Sequence, residues 1–126
     1  MCLVSITDRK GVITEVNSKF LEVAKYSESE LIGEPHNIVR HPDMPAEIFK
    51  LMWQTIGKGE PFRGMVKNRA KDGSTYWVDA VINPIMGANG KPEGYIGVRY
   101  LNTDVIQKQD TYTYDLGEVK FTIPTK

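Results

Sequence analysis

The stretch Phe62-Arg63-Gly64-Met65-Val66-Lys67-Asn68-Arg69-Ala70-Lys71-Asp72-Gly73-Ser74-Thr75-Tyr76-Trp77-Val78-Asp79-Ala80-Val81-Ile82 reads as two strands around one turn. Before the turn, Phe62, Gly64 and Val66 alternate with Arg63, Met65 and Lys67. After it, Tyr76, Val78, Ala80 and Ile82 alternate with Trp77, Asp79 and Val81. A period of two is the signature of a strand whose faces meet different surroundings. Between the halves, Lys71-Asp72-Gly73-Ser74 supplies a residue without a Cβ, as a tight hairpin turn demands.

Working outward, the same grammar recurs. Ala88-Asn89-Gly90-Lys91 is a second such turn, followed by the β-branched and aromatic run Tyr95 to Leu101. Near the N-terminus, Asp8-Arg9-Lys10-Gly11 separates Leu3-Val4-Ser5-Ile6 from Val12-Ile13-Thr14-Glu15-Val16. Between residues 17 and 60 the period changes. Ile48, Phe49, Met52, Trp53 and Ile56 recur every three or four positions, the stripe of an amphipathic helix. Pro45 suits its start and Gly59 its end. Asn17 can cap a short helix through Phe20 and Ala24, and Ser27 with Glu30 forms a capping box for another. The order is two strands, short helices, one longer helix, then three strands. This predicts an α+β fold: a five-stranded antiparallel sheet with one face covered by helices and a small-molecule pocket between the layers. Residues 1–104 are expected to form this domain, with 105–126 a C-terminal extension whose Val119, Phe121 and Ile123 are strand-like.

The 126 residues suit one domain. Lys plus Arg and Asp plus Glu both number 16, so the formal charge is zero and no global attraction to nucleic acid is expected. No apolar run approaches the ~20 residues of a membrane helix, so no direct membrane insertion is expected. The first eight residues are too short and polar for a secretory leader. Cys2 is the single cysteine, which excludes an internal disulfide and sets a reducing, cytoplasmic expectation. Enzyme signatures are missing: there is no Gly-x-Ser-x-Gly elbow, Gly-rich nucleotide loop or Cys-x-x-Cys.

Asp8, Gly11, Ile13, Asn17, Phe20, Tyr26, Glu30, Leu31, Ile32 and Gly33 are spaced as in the first half of PAS sensor domains, and Lys71-Asp72-Gly73 with Tyr76-Trp77-Val78 resembles their second-half hairpin. The resemblance covers roughly residues 3 to 104. A sharper likeness lies in His36-Asn37-Ile38-Val39-Arg40-His41-Pro42-Asp43-Met44-Pro45, together with Trp53, Lys58-Gly59-Glu60-Pro61 and Val66-Lys67-Asn68-Arg69. These are similar to the PAS domain of bacterial aerotaxis receptors, which bind FAD non-covalently and report its redox state to a chemotaxis kinase. The resemblance implies flavin binding at His36, Arg40, His41 and Asp43, with Asn17, Trp53 and Asn68 lining the same region. It implies a chemoreceptor signalling module as partner, in cis or in trans, and a tether to the inner membrane through the full-length receptor or a partner. The chain departs from the pattern at Lys25, where PAS domains often carry Gly before the tyrosine. It also lacks the membrane anchor and coiled coil of those receptors, so either an excised domain or a free-standing subunit is expected.

The residue chemistry fits that expectation. Arg40 offers a planar fork of donors for pyrophosphate. His36 and His41 can donate to phosphate, ribose or a ring edge. Trp53 and Tyr76 present flat surfaces to an aromatic ring, and Asn68 an amide to its carbonyls or nitrogens. Each has a plainer alternative: an ion pair of Arg40 with Glu30 or Glu34, Asp43 as a helix cap, surface or capping histidines, Trp53 in the core, Asn17 as a cap and Asn68 at a strand edge. FMN or no cofactor are the alternatives to FAD. A flavin–cysteinyl adduct is excluded because Cys2 lies outside the helices. Haem is disfavoured, since residues 46–58 hold no histidine. The spacing of His36, His41 and Asp43 matches no standard metal site. The competing functions are a ligand-free dimerisation module, with Val81, Tyr95 and Leu101 as candidates for an outward face, and a small flavin-dependent oxidoreductase.

Overall fold

A computed structural model describes residues 1–126. The hairpin that decided the reading forms as expected: strand β3 (Phe62–Arg69) pairs antiparallel with β4 (Thr75–Met86), with Val66 opposite Val78 and Asn68 opposite Tyr76. Gly73 and Gly90 turn with φ of 89° and 77°, the left-handed region a Cβ disfavours. The remaining strands are β1 (Leu3–Asp8), β2 (Ile13–Val16) and β5 (Pro92–Leu101). All five form one antiparallel sheet in the order β2-β1-β5-β4-β3. Two short helices, α1 (Ser18–Ala24) and α2 (Glu28–Leu31), and a 3-10 turn (His36–Val39) precede the longer α3 (Ala46–Gly57). No helix is long and apolar enough to cross a membrane.

The caps follow the local chemistry. The Asn17 side chain accepts from the Phe20 N–H, and Ser27 with Glu30 completes a reciprocal capping box. Helix α1 ends on Lys25 at φ 63°, the one residue other than glycine with positive φ. The position where PAS domains often carry Gly is therefore a left-handed cap, and here a lysine holds it while its Nζ reaches Asp72 at 2.6 Å. Asp43 does not cap α3; Pro45 occupies that position without a side-chain bond.

Residues 33–41 form a strap running from one sheet edge to the other. At the β2 edge, Gly33 N–H donates to the Ile13 carbonyl, Ile13 N–H to the Glu34 carbonyl, and Val12 bridges Pro35. At the β3 edge, Arg40 bridges Asn68 and the His41 N–H donates to the Lys67 carbonyl. Between these anchors the strap crosses the inner face of the sheet, where Phe20, Leu31, Val39 and Ile48 pack on Leu3, Val66 and Val78.

Helices alone were expected as cover, but the opposite face is covered too. Beyond β5, a short helix α4 (Thr103–Ile106) leads into a hairpin of β6 (Thr111–Asp115) and β7 (Lys120–Pro124). Tyr114 and Ile123 of that hairpin belong to the main core with Trp77. The Trp77 Nε1–H donates to the Thr125 carbonyl at 2.7 Å, and the Tyr114 hydroxyl to the Met65 carbonyl at 2.6 Å. Trp77 and Lys67, which alternation assigns to the outward face, are 0% exposed as a result. Burying an aromatic side chain of this size stabilises by about 2–3 kcal/mol.

The outward candidates divide. Val81, opposite Arg63 and Val98, does face outward and is half-buried. Tyr95 does not: its register opposite Thr7 puts it on the inner face with Gly97 and Arg99, where it is buried. Leu101 shares Tyr95's parity but lies exposed at the strand end.

Candidate functional site

Between the sheet's inner face, the strap and α3 lies a cavity of about 240 Å³ that opens to the surface. Sheet alternation supplies its floor: Ser5 and Thr7 from β1, Val66 and Asn68 from β3, Ala80 and Ile82 from β4, and Tyr95, Gly97 and Arg99 from β5. The strap supplies His36 and Arg40, and one side of α3 supplies Phe49, Met52, Trp53 and Ile56. Trp53 stands edge-on to Tyr95, ring centroids 5.5 Å apart, and a Cβ on Gly11 would lie 3.0 Å from its indole. The wall is thus aromatic and aliphatic with a few convergent polar groups, the usual composition of a small-molecule site.

Four of the residues singled out in the sequence, His36, Arg40, Trp53 and Asn68, line this cavity; the other four do not. Asn17 follows β2 and pairs alongside β1, its backbone N–H donating to the Val4 carbonyl. Its amide carbonyl accepts from the Val4 N–H as well as from Phe20, and its amide N–H donates to the Cys2 carbonyl. His41 and Asp43 lie past the strap's β3 anchor. The His41 Nδ1 accepts from the Asp43 N–H, and the Asp43 carboxylate takes the Lys67 ammonium at 2.8 Å. That bond holds the Asp43 carboxyl below its ordinary pKa, and burial with Lys67 nearby holds His41 below its own. Tyr76 is buried beside the cavity with no partner for its hydroxyl, and burial raises its pKa above the usual range.

Arg40 forms no ion pair with Glu30 or Glu34; Glu30 instead pairs with Lys71. Its guanidinium lies 3.7 Å over the Phe49 ring, a cation–π stack, and its Nε is buried without a hydrogen-bond partner. Asn68 does lie on the edge strand β3, but it is 4% exposed and not a surface polar residue. It faces the cavity while its backbone receives the strap.

Sequence reasoning missed Arg99. Its Nη1 donates to Ser5 Oγ at 2.8 Å and to the Gly97 carbonyl at 3.2 Å, and its Nη2 to His36 Nε2 at 2.9 Å. A guanidinium only donates, so His36 accepts at Nε2 and carries its proton on Nδ1. Burial, then the charges of Arg99 and Arg40, push the His36 pKa down to about 3. The ring stands edge-on to Phe20, centroids 5.7 Å apart. The available signal was an arginine inside the strand run Tyr95-Ile96-Gly97-Val98-Arg99, at the parity of Tyr95. Phe49, Met52 and Ile56 were readable only as core.

The cavity's electrostatics are one-sided. Arg40, Arg99 and Lys10 line it, and no Asp or Glu does.

A scan against family profiles matches the PAS fold over residues 13–99. The chain belongs to the PAS-fold family. It is 49% identical to the aerotaxis receptor of Escherichia coli over 102 residues, 81% of this chain and 20% of the receptor. It is 33% identical to the nitrogen fixation regulatory protein of Klebsiella pneumoniae over 96 residues, 76% of this chain and 19% of that protein. This PAS chain therefore spans about a fifth of the length of these relatives, a receptor and a regulatory protein. Among solved structures, a PAS domain from Colwellia psychrerythraea superposes with a TM-score of 0.76 at 24% identity, covering 82% of this chain and 87% of that one.

Proposed function

We propose that this chain is the sensing module of a taxis signalling system, binding FAD non-covalently and reporting redox state, and through it oxygen, to a chemoreceptor-type signalling partner. The observation that carries the reading is the cavity: aromatic and aliphatic walls, two arginines and a lysine, no acid, and the buried Arg40 Nε awaiting an acceptor. A ligand with a flat ring and negatively charged phosphates answers each of these. At about 240 Å³ the enclosed space suits a ring system, and the rest of a dinucleotide would extend through the mouth.

In this reading Trp53, Phe49 and Tyr95 bound the ring, Asn68 and His36 offer hydrogen bonds to its polar edge, and Arg40 serves phosphate. His41 and Asp43 act one step back by holding the strap against β3. The flavin would supply reversible electron uptake. The protein's own part is to register the altered hydrogen bonding of the ring edge at Asn68, whose backbone is bridged to the strap at Arg40. The kinship with the aerotaxis receptor supports this use, as does the family's sensor character. In a longer receptor such a module would sit on the cytoplasmic side of the inner membrane.

The test is an absorbance spectrum of purified protein, then acid release and identification of the chromophore. Flavin bands that bleach with dithionite and return in air, with FAD released, are the expected result; FMN would revise the cofactor alone. A folded, colourless protein that takes up no added FAD overturns the reading. It would favour the dimerisation module, for which the half-buried outward residues Val4, Ile6, Val81, Ile96 and Val98 provide an apolar strip.

A further inference from the structure

Arg99 is 7% exposed, and each of its hydrogen-bond partners is neutral: a serine hydroxyl, a backbone carbonyl and an unprotonated imidazole. No carboxylate lines the cavity it faces. A buried cation without a counter-ion is costly, so such groups are normally paired. Here the fold holds the charge in place instead. Ser5 and His36 fix two of its nitrogens. Gly97, two residues earlier on the same face, leaves the space: a Cβ there would stand 2.6 Å from Nη2 and 2.8 Å from Cζ. The arrangement gives the cavity a positioned positive charge whose complement must come from the ligand.

We propose that Arg99 is the charge partner of the bound ring and sets its reduction potential, by favouring the form that carries a negative charge over the neutral oxidised form. The inference rests on the flavin reading above. Oxidised flavin is uncharged in its ring. Two electrons and one proton, the equivalent of a hydride from a dihydronicotinamide donor that departs oxidised, leave the ring with one negative charge. A fixed guanidinium beside it then holds the reduced form more tightly than the oxidised one, which raises the potential. A neutral residue at this position would bind both forms alike. Arg99 would thus decide the potential at which the sensor switches, and Arg40, serving phosphate, would bind both forms equally.

The experiment is a redox titration of the full chain loaded with FAD, reduced stepwise with dithionite against a reference dye. Arg99→Met, similar in length but uncharged, is expected to lower the affinity for reduced relative to oxidised flavin at least tenfold, a downward shift of about 30 mV for a two-electron couple. Arg99→Lys should recover part of the shift. Gly97→Ala keeps the charge but displaces the guanidinium, and should also lower the potential; it provides the same readout if Arg99→Met fails to fold or to load. A flavin-loaded wild type whose Arg99→Met or Gly97→Ala variant keeps the wild-type potential overturns this inference and leaves the flavin reading intact. A wild type that takes up no FAD overturns both.

Discussion

Lys67 reaches Asp43 at 2.8 Å across the β3 edge, and the same ammonium donates to the Pro124 carbonyl at 2.7 Å and to the Lys126 backbone oxygen at 3.1 Å. One lysine thus ties the segment before α3 to the last residues of the chain. Its neighbour Asn68 faces the cavity from the other side of the sheet. Because Lys67 is wholly buried, Lys67→Met should destabilise the fold by about 3 kcal/mol, stranding two carbonyls and a carboxylate. Asp43→Asn, at a more exposed end, should cost about 1 kcal/mol. Urea unfolding of both variants and the double variant measures the coupling.

Acid should weaken the protein before its carboxylates titrate. The imidazole of His36 binds a proton readily when unfolded, with a pKa near 6.5, but only near 3 when folded. Between these values the unfolded state holds more protons, so stability is full above about pH 6.5 and falls as pH drops. The slope approaches about 1.4 kcal/mol per unit, or about 2 kcal/mol by pH 5. His41, also held low but less enclosed, adds a smaller part in the same direction. Urea midpoints from pH 5 to 7.5 should show the slope, and His36→Gln should flatten most of it.

Lys25 isolates a backbone effect. Lys25→Ala and Lys25→Gly both remove the exposed pair with Asp72, but only glycine relieves the φ of 63°. The glycine variant should therefore be the more stable by about 1 kcal/mol. Equal thermal midpoints for the two would refute the backbone account.

Arg40→Ala should fold normally and lose FAD affinity by roughly 10- to 100-fold, since its stack on Phe49 is replaceable but its free Nε is not. Equilibrium dialysis of the apoprotein against FAD measures this.

Removing residues 105–126 should cost on the order of 5 kcal/mol, because Trp77 and Met65 lose their cover and Lys67 its carbonyl partners. Thermal unfolding of the shortened chain tests it. An unchanged midpoint would mean that the hairpin contributes nothing to the fold.

What could be read in the sequence was local. Asp72-Gly73, the alternation around it, the α3 stripe and the Ser27–Glu30 box each depend on neighbours within a few residues. Contacts between distant segments were hidden. Nothing near Tyr114 announces that its hydroxyl meets Met65, and nothing near Lys67 says that an outward position will be sealed by Thr125 and its neighbours. The phase of β5 was obscured by Gly94 and Gly97, which blank one position on each face, so Tyr95 was read as an outward candidate and Arg99 was left unassigned. In the site, His36 and Arg40 came with His41 and Asp43 because they are adjacent in the chain. The strap then turns at the sheet edge, placing the first two over the cavity and the others past the rim.

That strap has a bearing on how the molecule behaves at high concentration. A sheet's outermost strands are templates on which other chains can add, growing aggregates strand by strand. Here one stretch, residues 33–41, takes up backbone groups at both outermost strands, β2 and β3. The residues that wall the cavity therefore also blunt both growth points. A substitution that loosened the strap would show first as turbidity in a stored sample, before any change in a freshly purified one.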